Sequence, residues 1–130
     1  MSVRVVRLGS PRHAGEGLRI GTVRRPPRGI RKAEFATRNY FDVWFPDLAP
    51  AAATIARLKS GRGPSAWTAF VRRYRSEMAR PGPSRVLDLL AALSQSADFS
   101  VGCYCEDEAR CHRSVLAQLL HQRGARFAGG

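Results

Sequence analysis

The sequence contains no apolar run long enough to cross a membrane. A spanning helix needs about 20 consecutive apolar residues, whereas charged or polar residues interrupt every apolar stretch of this 130-residue chain. The N-terminal segment Met1–Val6 places Arg4 among valines and lacks the continuous apolar core of a signal peptide. We therefore expect a cytoplasmic protein with no membrane partner.

Carboxylates are scarce as well. The chain carries 10 acidic residues against 22 basic ones, which leaves a formal net charge of +12 at pH 7. An excess of this size favours an acidic partner. Only Lys32 and Lys59 are lysines, and a strong preference for arginine can also follow from the base composition of a genome. The positions of the basic residues are therefore more informative than their sum.

Cysteine is rare, and its three copies are clustered. Cys103, Cys105 and Cys111 all fall within nine residues. Such a cluster in a cytoplasmic chain does not form the disulfide framework of a secreted protein. Metal binding, catalysis and plain packing remain as roles for these side chains.

The order of the remaining patterns predicts an α/β fold. Strands are predicted at residues 3–8, 18–23 and 99–103, with a small edge strand at 125–127, and helices at 50–60, 65–80, 84–93 and 112–123. The aromatic-rich segment 35–45 fits either a short helix or an irregular loop. Strands separated by long helical stretches favour a small, mostly parallel sheet covered by helices, with a right-handed crossover. We expect one compact domain over residues 1–127 and a frayed tail at 128–130.

The clearest candidate site lies between the last long strand and the last helix. The strand ends at Cys103, and the helix begins near Cys111, His112 and Arg113 after an acidic turn at 106–108. In open α/β sheets, ligands bind where strand ends meet helix starts, because backbone N–H groups and the positive helix end face the crevice. The turn from Cys103 to Arg113 is therefore the predicted site.

Zinc is one possible occupant of this turn. Cys103 and Cys105 project to the same side of a strand, and Cys111 with His112 would complete four ligands of the kinds that zinc prefers. Zinc-binding cysteine pairs, however, usually have two to four residues between them, and adjacent ligands such as Cys111 and His112 are strained. The spacing leaves zinc possible but does not favour it.

Catalysis by a cysteine is a second possibility. A helix N-terminus and the neighbouring Arg113 would favour the thiolate of Cys111, and His112 is the natural proton donor or acceptor. The acidic residues at 106–108 oppose the thiolate. The alternative is that Cys103 and Cys111 only pack in the core.

Anion binding is the role that the pattern favours. The segment 24–32 carries five cations around two prolines and a glycine, so it is a stiff basic loop after the second strand. Loops that follow parallel strands meet at one edge of the sheet, where this loop and the turn could hold a phosphate or carboxylate. The predicted ligand-binding residues are Arg25, Arg28, Cys105, Arg113 and Ser114. The alternative is a merely solvated basic loop.

Several of these motifs together resemble the domain-of-unknown-function family DUF488 over nearly the whole chain. The shared features are the Arg-x-x-Pro-Arg-Gly-like loop at 24–32, Trp44, Asp47–Pro50, Trp67, Phe70, Arg73–Arg75, Glu77–Met78, Cys103–Cys105 and Cys111–Leu116. The last two resemble the cysteine-bearing branch of the family. The chain departs at Pro26, where the family commonly has tryptophan, and at Ala51, where serine is usual.

The resemblance implies a compact α/β domain without a settled activity. Other members of the family lack the cysteines and keep a histidine or asparagine nearby, which favours ligand binding over sulfur chemistry as the shared role. We therefore predict binding of a phosphorylated, nucleotide or nucleic-acid ligand, with enzymatic activity an open possibility. A non-catalytic basic nucleic-acid-binding protein and a small zinc protein remain the alternatives.

Overall fold

The structure, a computed structural model, describes residues 1–105 and 110–128. Its elements are, in chain order, β1 (Val3–Arg7), β2 (Leu18–Gly21), β3 (Val43–Trp44), α1 (Ala52–Ser60), α2 (Gly63–Met78), α3 (Pro81–Leu93), β4 (Phe99–Cys103) and α4 (His112–Gln122). Two short 3-10 helices, Lys32–Glu34 and Pro46–Leu48, lie in the connections. The predicted acidic turn at 106–108 lies outside the described residues.

The strands form one parallel sheet in the order β1-β4-β2-β3. In the register, Phe99 of β4 lies beside Val3 of β1 on one side and Leu18 of β2 on the other. The predicted α/β fold with a small parallel sheet is confirmed. Because all strands are parallel, their C-terminal ends meet at one edge, where ligands bind in this architecture.

β4 lies at the centre of the sheet because every one of its residues tolerates complete burial. All five are buried, with Ser100 and Gly102 between the larger Phe99, Val101 and Cys103. A side chain on Gly102 would place its Cβ 2.6 Å from the Val6 carbonyl oxygen. The glycine therefore allows β1 to approach β4 closely.

The apolar core brings the helices onto this sheet. α2, α3 and α4 each bury one stripe of apolar side chains, as expected for amphipathic helices. The buried members of this core cluster are Val3, Ile20, Leu48, Phe70, Tyr74, Met78, Leu87, Leu90, Phe99, Val101, Val115, Leu116, Leu119 and Leu120. Among the described residues, no helix combines the length and the apolar character that a membrane span requires.

Several element boundaries differ from the predictions, and α1 begins at Ala52 instead of residue 50. β3 is an additional strand, so the chain passes from β2 to its parallel neighbour through a connection that contains only a 3-10 helix. α2 begins at Gly63, two residues before the predicted start at residue 65. α3 begins at Pro81 and not at Ser84, because proline is well suited to the first turn of a helix, where its missing N–H costs nothing.

The end of the described chain is attached to β1. Phe127 forms an isolated parallel bridge with Val3, where a short edge strand at 125–127 was predicted. The N–H of Ala128 donates to the Val3 carbonyl at 2.9 Å. Ala128 is therefore held against the sheet, although the sequence predicted a frayed tail from this residue onward.

A buried ion pair fixes the loops around the start of β2. The Arg19 guanidinium is fully buried, and its Nε and Nη2 donate to the two carboxylate oxygens of Glu16 at 2.7 and 2.9 Å. Its Nη1 donates to the carbonyls of Ser10 and Asn39. Arg19 thereby holds two connections, 8–17 and 22–42, against the sheet.

Candidate functional site

The loops that follow β2 and β4 meet at the C-terminal edge of the sheet. β2 ends at Gly21 and leads into the basic loop (residues 24–32), while β4 ends at Cys103 and leads into the cysteine turn, whose described residues are 103–105 and 110–113. The hydroxyl of Tyr104 donates to the Arg25 carbonyl at 3.0 Å, across 79 residues of sequence. The basic loop and the cysteine turn are therefore in direct contact.

The basic loop is attached to the protein at its first residue. Arg24 donates from Nη2 to the Ala49 carbonyl at 3.0 Å and from Nε to the Pro50 carbonyl at 3.2 Å. The remaining cations of the loop are all exposed, and within residues 1–105 and 110–128 none of them pairs with a carboxylate: Arg25, Arg28, Arg31 and Lys32. The loop therefore presents four charges that are not neutralised there.

His112, the first residue of α4, is held by the strand end beside it. Its Nε2 lies 2.7 Å from the Thr22 carbonyl oxygen and 3.3 Å from the Thr22 hydroxyl. A carbonyl only accepts, so Nε2 carries the proton of the neutral ring and Nδ1 keeps a lone pair. Burial lowers the pKa of His112 to about 4, and the nearby charge of Arg113 acts in the same direction. The imidazole is therefore neutral at neutral pH.

Two cysteines lie next to this lone pair. The Sγ of Cys111 is 3.8 Å from the Nδ1 of His112, and the sulfur atoms of Cys111 and Cys103 lie at bonding distance, paired as in a disulfide. Cys103 and Cys111 are both buried, in a small apolar cluster with Val6, Leu8, Val23 and Phe41. The two sulfurs and the imidazole nitrogen therefore converge on one shielded point.

The other predicted ligand-binding residues of the turn make separate contacts. Cys105 is exposed and unbonded. Arg113 is 5% exposed, and its Nη2 donates to the Cys105 carbonyl at 2.9 Å. The hydroxyl of Ser114 donates to the Cys111 carbonyl at 2.8 Å. Arg113 and Ser114 thus shape the turn and the start of α4.

A shallow cavity of about 390 Å³ opens beside the site on the β1 side. Tyr40 and Tyr104, whose rings meet edge to face, line it together with the residues that follow β1: Arg7, Leu8, Gly9 and Ser10. Burial raises the pKa of Tyr104 to about 12. The Tyr104 hydroxyl is therefore protonated at neutral pH and able to hold the basic loop.

Two residues that hold His112 in place, Tyr74 and Thr22, were not predicted from the sequence. The Tyr74 ring of α2 packs edge to face on His112, with centroids 5.6 Å apart, and its hydroxyl donates to the Leu48 carbonyl at 2.6 Å. Thr22, the acceptor for His112, was missed as well. Its position at the end of β2, beside β4, is the one signal that could have identified it.

Comparison with known proteins agrees with this architecture. A family model, DUF488-N3a, described as the "Active DUF488-N3 subclade", matches residues 3–124. The chain belongs to the DUF488 family. The match includes the basic loop, the cysteine turn and all four helices of this DUF488 domain. Neither a curated protein nor a solved structure matches the chain.

Proposed function

We propose that this DUF488 protein binds an anionic ligand at the C-terminal edge of its sheet. The ligand class is a phosphorylated small molecule, a nucleotide or a nucleic-acid end. The observation that supports this proposal most is the bond from Tyr104 to Arg25, which joins the basic loop to the cysteine turn. The loop's cations thereby share one edge of the sheet with the N-terminus of α4.

The electrostatics of this edge favour negative charge for two reasons. Arginine guanidinium groups match phosphate oxygens in charge and geometry, and Arg25 and Arg28 are exposed without a carboxylate partner among the described residues. The positive end of α4 adds to their field. We assign direct ligand contact to Arg25 and Arg28, and the shape of the turn to Arg113, with Cys105 and Ser114 at its border.

Chemistry at the same site is a second candidate function. Cys111 and His112 form a sulfur and nitrogen pair at 3.8 Å, which is the arrangement of a nucleophile with its proton acceptor. The description of the matched subclade as active agrees with a reaction in that subclade. Turnover of a bound probe, abolished by Cys111→Ser, would support this candidate, and a probe recovered unchanged would count against it.

Substitution of the loop arginines tests the binding proposal. In fluorescence anisotropy with a labelled, 5′-phosphorylated single-stranded DNA, Arg25→Ala and Arg28→Ala should each weaken binding by about tenfold or more. The reason is that one charge-assisted hydrogen bond contributes about 1.5–3 kcal/mol, and 1.4 kcal/mol is tenfold in affinity. Each lost phosphate contact should also reduce the slope of log affinity against log salt by about 0.7.

Arg72→Ala and Arg73→Ala are the matched controls, because both arginines are exposed on α2 and each change removes the same charge. We expect these controls to weaken binding by about twofold at most. Equal losses of affinity in all four variants would show that binding depends only on the overall charge. That result would favour the alternative, a non-catalytic basic protein that binds nucleic acid. Competition by a free nucleotide then separates a small ligand from a nucleic-acid end.

A further inference from the structure

The point where Cys103, Cys111 and His112 converge has the composition of a metal site. One ligand atom from each residue lies within 4.8 Å of the other two. They come from the last residue of β4, the residue before α4 and the first residue of α4. Two thiols and an imidazole are the ligand set that zinc favours over magnesium or calcium, which take oxygen ligands.

The backbone conformation explains how the adjacent residues Cys111 and His112 can bind the same metal ion. Cys111 is extended, with φ −125° and ψ 149°, whereas His112 begins the helix. This change of conformation turns both side chains toward Cys103, although two neighbours within one helix would point apart. The strain that the sequence suggested for adjacent ligands is thereby avoided.

The hydrogen bond from His112 to the Thr22 carbonyl is of the kind that metal-binding histidines make. Histidines that bind a metal through one nitrogen usually donate the other N–H to a carbonyl or carboxylate, which fixes the tautomer and the ring orientation. His112 donates from Nε2 to the Thr22 carbonyl at 2.7 Å. Its Nδ1 lies 3.8 Å from Cys111 Sγ, close to the roughly 3.6 Å that zinc bond lengths of about 2.3 and 2.1 Å imply.

The spacing of the two cysteines also suits a shared ion. Their α-carbons are 7.8 Å apart, beyond the roughly 7 Å within which a disulfide closes without movement of the backbone. This separation leaves room for the sulfurs to part to the roughly 3.8 Å that two zinc-bound thiolates keep.

The surroundings favour a neutral complex. Two thiolates balance the charge of one divalent ion, and a neutral group is the only kind that an apolar cluster buries cheaply. The cluster around the sulfurs consists of Val6, Leu8, Val23 and Phe41.

We propose that Cys103, Cys111 and His112 bind one zinc ion, with Nδ1 as the imidazole ligand. The zinc-binding form is the reduced one, in which a thiol reductant has converted the paired sulfurs to two S–H groups. As each sulfur–zinc bond forms, the S–H bond breaks and its proton passes to solvent, so two protons leave per ion. Cys105 takes no part, unlike in the four-ligand set considered from the sequence, because its thiol is exposed and separate. Water takes the fourth position, as in zinc sites that remain open, and leaves the complex neutral.

Metal and thiol analysis of the untagged protein tests this proposal without any substitution. After expression with zinc and purification under reducing conditions, we expect about one zinc per chain and three free thiols on denaturation with a chelator. Absence of zinc with a single free thiol, that of Cys105, would instead establish a Cys103–Cys111 disulfide. Absence of zinc with all three thiols free would leave packing as their role. Either result overturns the proposal.

Variants and a spectroscopic probe identify the ligands. Cys111→Ser and His112→Ala should lose most of the zinc, while Cys105→Ser keeps it and serves as the matched control. Cobalt bound in place of zinc should show a thiolate charge-transfer band and the intense visible bands of a tetrahedral ion. Zinc lost equally from Cys105→Ser would contradict the three-ligand set. Arg28→Ala should keep its zinc, so failure of the anion-binding proposal and failure of this one are distinguishable.

Discussion

Replacement of Arg19 with methionine should lower the free energy of unfolding by about 3–5 kcal/mol, the cost of breaking a buried ion pair at one partner. Arg19 is fully buried, and its removal leaves the Glu16 carboxylate buried without its main partner. The carbonyls of Ser10 and Asn39 lose a donor at the same time. Denaturant unfolding followed by circular dichroism measures the loss.

Two controls show whether the effect belongs to the buried pair. The double variant Arg19→Met with Glu16→Leu should recover much of the stability, because it buries no charge. Asp88→Asn, which breaks the surface pair with Arg123, should cost less than about 1 kcal/mol. A cost for Arg19→Met no larger than that for Asp88→Asn would contradict the role assigned to the pair.

A lower pH should reduce the difference in the free energy of unfolding between the wild type and Arg19→Met. Burial alone would raise the pKa of Glu16, but hydrogen bonds from Arg19, Ser100 and His13 outweigh burial and lower the pKa from 4.5 to about 2. A lowered folded-state pKa contributes stability that is complete above the unfolded value and is lost as pH falls toward the folded one. In the variant, burial without Arg19 raises the pKa of Glu16, so the difference should narrow as the pH falls from that raised value toward the wild-type pKa of about 2.

Truncation of Tyr74 to alanine should cost about 3–5 kcal/mol, as for other large buried aromatic side chains. The ring is fully buried and stacks on Phe70 at 6.0 Å between centroids. It also packs on His112, and its hydroxyl satisfies the Leu48 carbonyl. The substitution opens a cavity between α2 and the site, and thermal unfolding measures its cost.

Tyr74→Phe is the matched control because it keeps the ring and removes only the hydroxyl. The Leu48 carbonyl then loses its donor, which should cost about 1–3 kcal/mol. Tyr74→Ala should also broaden or shift the NMR signals of the His112 ring, whereas Tyr74→Phe should leave them close to those of the wild type. Equal costs for the two variants would show that the ring contributes nothing beyond the hydrogen bond.

The sequence predicted the elements whose pattern is strongest. β4 was placed at Phe99–Cys103, as observed, because small and apolar residues alternate there without a break. The start of α4 beside Cys111 was placed correctly for a similar reason, since the stripe Val115–Leu120 and Gly124 bracket the helix. Elements of this kind are fixed by local periodicity and by residues suited to helix ends.

Other boundaries depend on tertiary contacts that periodicity does not contain. β3 has only two residues, Val43 and Trp44, and exists because it pairs with Ile20 and Gly21 of β2. Pro81 begins α3, although the sequence predicted its start at residue 84, after the Pro-Gly-Pro segment. Proline at the first turn and proline after a helix look alike in sequence, so the start of α3 was misplaced.

The sequence predicted that the basic loop and the cysteine turn lie at one edge of the sheet, but it did not predict the contacts between their residues. The positions of the basic loop and the cysteine turn follow from the rule for parallel sheets. The bond between His112 and Thr22 joins residues 90 apart in sequence, and nothing local marks Thr22 as its partner. The separation of Cys105 from the other two cysteines likewise depends on where β4 ends, since Cys103 is its last residue.

The central claim, that the basic loop and the start of α4 form one anion site, is tested most directly by locating a ligand. Titration of ¹⁵N-labelled protein with the phosphorylated oligonucleotide should shift the backbone amides of the non-proline residues in 24–32 and of residues 111–114 together, with one saturation curve. Shifts concentrated instead at Arg72 and Arg73 on α2, or shifts of the two segments at different concentrations, would contradict the claim.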